Sequence, residues 1–77
     1  MSLKNQITSH LCSAIRSNVE DLYAGRIEHA AFTQAQRSAW DAAEYHEVTD
    51  LLRSMLLDHA IAAASAEIAA HAGNLAK

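Results

Sequence analysis

Five histidines, one cysteine and nine carboxylates are the side chains of this 77-residue sequence best suited to acid–base, nucleophilic or metal chemistry. A helix brings residues three or four apart onto one face. Helical metal sites are therefore written His-x-x-x-His, His-Glu-x-x-His or Glu-x-x-His. His10, His29, His46, His59 and His71 form none of these spacings. The nearest pairs, His46 with Asp50 and Glu67 with His71, are four apart and read as solvated hydrogen bonds. His59 falls in an apolar seam and reads as a core or interface histidine, so no metal and no cofactor is expected. Cys12 has His10 close by, but at helical pitch the two point about 160° apart, which denies the thiol a base on its own helix. As the one cysteine it forms no intramolecular disulfide, and it is expected as a small buried hydrophobe. Two isolated glycines make no phosphate loop, and the serines lack a Gly-rich elbow. The sequence thus predicts a protein that is not an enzyme.

The carboxylates are patterned differently. Asp41, Glu44, Glu47 and Asp50 recur every three residues. Such steps precess slowly around a helix, so the four are predicted to form one acidic ridge, with Tyr45 as an aromatic anchor among them and Trp40 near. Arg37, four residues before Asp41, is placed to hold the first carboxylate. Net charge is +1 over residues 1–40 and −4 over residues 41–77, for −3 overall. Affinity for phosphate backbones comes from clustered Lys and Arg, so this balance argues against nucleic acid and for a protein partner with a basic surface. One layout speaks the other way. Two helices joined through a glycine turn, followed by Thr33, Gln34, Gln36, Arg37 and Ser38, share the order of a helix-turn-helix, so a dimeric DNA-binding regulator is the alternative function.

The elements that must carry these residues are all helical. The sequence has no proline, and apolar residues make up 51% of it. Leu3, Ile7, Leu11, Ala14, Ile15, Val19 and Leu22 make a stripe at helical spacing, with Ser2 as N-cap and Gly25 as stop, predicting a helix over 3–24. A second, over 28–45, turns Phe32, Ala35, Ala39, Trp40 and Ala43 inward. Its short connection makes the first two helices an αα-hairpin. No glycine or proline interrupts residues 26–72, yet the apolar phase jumps at Val48. A break is therefore predicted between Tyr45 and Asp50, with His46 or Thr49 capping the restart.

The third helix, over 50–72, is predicted to end at Gly73-Asn74. It carries two apolar seams. Val48, Leu52, Met55, His59, Ala62, Ala66 and Ala69 form one; Leu57, Ile61, Ala64, Ile68, His71 and Leu75 form the other. A helix apolar on two faces needs two partners. Nine of the 17 alanines lie within residues 60–76, which thins the core further, and thin cores of this size are often completed by self-association. The expected fold is all-α, a single domain over 1–77. It is either a three-helix bundle or a helical hairpin with a long third helix, and it is homodimeric through Leu57, Ile61, Ile68 and Leu75 or through the other seam. A central helix buried within its own bundle is the alternative use of both seams. No apolar run is long enough for a membrane span. The free thiol, with no secretory signal pattern over 1–24, points to the cytoplasm.

The run Leu22-Tyr23-Ala24-Gly25-Arg26-Ile27, followed by Phe32 and Trp40, resembles small helical proteins of phages and other mobile elements. There the hairpin reads Leu-Tyr-x-Gly-x-Ile, then an N-cap, then Phe and Trp. The similarity covers about a quarter of the chain, with Glu28 standing where Ser, Thr or Asp is usual. The resemblance implies a mobile-element accessory protein, a class that includes inhibitors of host defence such as anti-CRISPR proteins, and it carries over no functional residue.

Overall fold

A computed structural model describes the backbone of residues 2–75 and the side chains of residues 2–70. The described residues form three helices: α1 (Leu3–Tyr23), α2 (His29–Tyr45) and α3 (Thr49–Leu75). The protein is an all-α bundle. No helix among the described residues is long and apolar enough to cross a membrane.

The ends of α1 follow from two residues. The Ser2 hydroxyl accepts the Asn5 N–H at 3.1 Å, satisfying one of the donors a helix N-terminus leaves free. At the other end Gly25 adopts φ +74°, and the Gly25 and Arg26 N–H groups donate back to Leu22 (3.1 Å) and Asp21 (2.8 Å). These two bonds are the Schellman closure, which requires a left-handed residue at its centre. A hydrophobic contact usually spans its outer positions. Here the Arg26 Nε to Asp21 Oδ1 ion pair, at 2.7 Å, occupies them.

α2 begins less well. Glu28 has the extended backbone of an N-cap (φ −82°, ψ 158°), but its side chain makes no capping bond. Ser at this position would reach the free N–H groups that Glu misses. Glu28→Ser is expected to add about 1 kcal/mol of stability and raise the midpoint of thermal unfolding by about 4–8 °C, followed by circular dichroism.

The break after Tyr45 forms as the phase jump predicts, by a different device. His46 closes α2 as its C-cap instead of opening α3. Thr49 is already the first residue of α3, and the Val48 carbonyl accepts the Leu52 N–H at 2.8 Å. Glu47 holds φ +57°, while the Glu47 and Val48 N–H groups donate to Glu44 (3.1 Å) and Ala43 (2.9 Å). This is a second Schellman turn, built on glutamate where the first uses glycine. At its far end α3 passes through Gly73 and Asn74 to Leu75, beyond the predicted stop. A glycine within a helix costs about 1 kcal/mol relative to alanine, and the alanines at 69, 70 and 72 carry enough propensity to continue past it.

α1 and α2 lie antiparallel, joined at mid-length by Asn18 Nδ2 donating to Gln36 Oε1 at 3.1 Å. α3 returns parallel to α1, with Leu51 and Met55 beside Asn5 and Ser9, then Leu56, Ala60 and Ala63 beside Ile15 and Val19. The core is Cys12, Ile15, Ala39, Ala43, Val48 and Leu52, flanked by half-buried Ile7, Leu11, Trp40, Met55 and Leu56. Cys12 is buried there, as expected.

Of the apolar stripe of α1, Ile15 is buried, in line with Thr8 and Cys12, while Ile7, Leu11, Ala14, Val19 and Leu22 are half-buried and Leu3 is 70% exposed. α2 takes Leu3, Ile7 and Leu11 of the stripe, while α3 packs against an edge on which Ile15 and Val19 are flanked by Asn5, Ser9, Arg16 and Glu20. Thr8 sits between the two neighbours. Its hydroxyl donates to its own helix, to the Lys4 carbonyl at 2.6 Å, so full burial leaves no polar group unsatisfied.

That asymmetry explains the course of α3. Its large inward residues end at Leu56, after which it offers α1 His59, Ala60 and Ala63 against an edge bearing Arg16 and Glu20. Too little apolar area remains to hold the helices together. Every residue from Leu57 to Ala70 is exposed, and α3 leaves the bundle as a projecting arm.

Candidate partner-binding surface

Asp41 and Glu44 lie three apart on the outward side of α2, opposite the buried Ala39 and Ala43. Tyr45 ends that helix 84% exposed, with its ring edge-on to His46 at 5.0 Å. Glu47 is the left-handed residue of the turn, and Asp50 stands in the first turn of α3. All five residues are exposed and cluster about one corner of the bundle. They do not continue as a single helical row. The three-residue steps run from Asp41 to Glu44, and the chain then reverses through Glu47 before reaching Asp50.

Two charge pairings refine this corner. Arg37 and Asp41, four apart on α2, form no ion pair. Among the described residues the pair here is Arg53 Nη1 with Asp50 Oδ1 at 3.6 Å, and the same guanidinium lies over the Trp40 ring at 5.9 Å. Among the described residues Asp41, Glu44 and Glu47 make no ion pair.

Holding Glu47 at positive φ is costly. The left-handed region brings Cβ against the backbone, at about 1–2 kcal/mol for a residue other than glycine. Gly25 does the same backbone task without that cost. The turn is held because it delivers Val48, fully covered, into the core.

Beside the corner lies an apolar groove of about 340 Å³ between the start of α1 and the end of α2. Leu3, Ile7, Leu11 and Ala42 line it, with His10 and His46 at its rim. No spacing within one helix pairs these histidines, since His10 lies on α1 and His46 caps α2. The antiparallel packing that sets Asn18 on Gln36 also brings His10 opposite the end of α2. Among the described residues no three metal-binding side chains gather.

The residues predicted for self-association stand elsewhere. Leu57, Ile61 and Ile68 are 60%, 56% and 70% exposed on the outer face of the projecting arm, turned away from the core side of α3. The Leu75 and His71 side chains lie outside the described residues. Val48, Leu52 and Met55, of the other seam, are spent inside the bundle. The antiparallel hairpin also differs from the crossed pair of a helix-turn-helix: Gln36 is bonded to Asn18, and the Thr33 hydroxyl donates to the His29 carbonyl at 3.0 Å.

No protein-family model, no curated protein and no solved structure matches the chain.

Proposed function

We propose that this chain is a small cytoplasmic protein-binding module without catalytic activity, homodimeric through the outer seam of α3. It acts as an inhibitor or adaptor by covering a basic surface of its partner. The observation that carries this reading is Tyr45. This aromatic residue, 84% exposed, stands among four exposed carboxylates at the corner of the bundle. Carboxylates raise the encounter rate with a basic partner, and a large aromatic supplies affinity once water is excluded. The resemblance of the Leu22–Ile27 hairpin to mobile-element proteins supports an accessory role of that origin, of the anti-defence, anti-CRISPR-like kind.

Affinity capture from host lysate tests the proposal when each captured protein is then purified and titrated at about 0.05 and 0.5 M salt. The expected result is a protein with a basic surface whose affinity falls steeply as salt rises. Sequence-specific retardation of operator DNA, with no protein bound, would replace this reading by the DNA-binding one.

A further inference from the structure

The chain carries more surface than a compact molecule of its size. A folded monomer of 8.3 kDa exposes about 4600 Å². This one exposes 5822 Å², an excess of about 1200 Å². Its radius of gyration is 15.2 Å, against about 11.5 Å for a globule of the same length. A stable interface covers about 800 Å² on each partner, so the excess is larger than one such interface and leaves room for a second copy. The arm of α3 supplies the matching face, with Leu57, Ile61, Ala64 and Ile68 spaced four, three and four on its outer side.

We infer that two copies pair antiparallel along this arm, with Leu57 against the partner's Ile68 and Ile61 against the partner's Ala64. The inference rests on the proposed self-association and fixes its direction. Two arguments choose antiparallel. In this register large side chains oppose large at the ends of the seam and large oppose small at its centre, so the layers interdigitate; a parallel pair would stack Ala64 on the partner's Ala64 and leave a gap between isoleucine layers. Charge decides more strongly. Parallel arms would continue the seam to Asp50 against the partner's Asp50 and crowd both acidic corners at one end. Antiparallel arms hold the two Asp50 residues about 37 Å apart, several Debye lengths at physiological salt.

Cysteine pairing reads the direction, with light scattering of the unaltered protein at micromolar concentration reading the oligomer. Buried Cys12 is left in place, and the disulfide formed on mild oxidation is located by peptide mapping. A scattering mass of two chains, with a 57–68 disulfide only when Leu57→Cys and Ile68→Cys proteins are mixed, is the expected result. Ala60→Cys mixed with Glu67→Cys flanks the seam, removes none of its large side chains and is expected to be cross-linked by a short bis-maleimide, which spans the wider flank. A 57–57 disulfide from Leu57→Cys alone would overturn the antiparallel arrangement while leaving a dimer. A single-chain mass with no cross-link from either pair would overturn self-association itself.

Discussion

Leu52→Ala is expected to remove a large share of the chain's stability. Leu52 is fully buried where all three helices meet, between Val48 and the α1 line of Cys12 and Ile15. Truncating such a leucine costs about 2–5 kcal/mol, the cavity included. A 77-residue domain at about 0.05–0.15 kcal/mol per residue has about 4–12 kcal/mol to lose. Its neighbours in the core include Ile15 and Val48 as well as the smaller Cys12 and Ala43, so partial collapse keeps the loss within that range. Urea titration followed by circular dichroism measures it. Leu57→Ala, five residues later on the exposed arm, is the comparison: within a single chain it costs under about 0.5 kcal/mol. Equal losses at the two positions would contradict the boundary drawn after Leu56.

Reversing Glu44 and Glu47 together to lysine abolishes the electrostatic part of partner binding and leaves the fold standing. Glu44 lies in the last turn of α2, where a carboxylate faces the negative end of the helix dipole, so lysine there is mildly favourable. At position 47 lysine meets the same left-handed backbone cost that glutamate already bears. The thermal midpoint is therefore unchanged or slightly raised. Charge steering contributes about 10- to 1000-fold to association rates at low salt, and the variant is expected to associate at least about tenfold more slowly there, with the difference shrinking as salt rises. Stopped-flow or surface-binding kinetics at two salt concentrations read this directly. An unchanged low-salt association rate would remove the acidic corner from the binding surface.

Much of the architecture is legible in the chain because it rests on short-range rules. Ser2 and Gly25 mark the ends of α1 by chemistry that acts within a few residues, and the phase of Phe32, Ala39, Ala43 and Val48 reveals that the helix cannot run on. What the sequence hides depends on more than one helix at a time. Thr8 is covered because two helices flank it, although its polarity reads as exposure. The Glu47 turn has no sequence signature, since the residue that marks such turns is glycine. The acidic row looked continuous because three-residue steps were extended across a reversal of the chain. The projecting arm follows from the polarity of the α1 edge that faces α3, which a helix-by-helix reading does not compare with its neighbour.

The two turns have a kinetic meaning. Residues 24–28 and 46–48 connect the helices, so most elements that touch are also adjacent in the chain. Helical bundles with such local contacts fold in microseconds to milliseconds. A ribosome adding 5–20 residues each second takes about 4–15 s to make 77 residues. Acquisition of the folded state adds no perceptible delay to that time. If the arm is completed by another copy, the interval between synthesis and function is governed by how soon two newly made chains collide, and abundance becomes the clock.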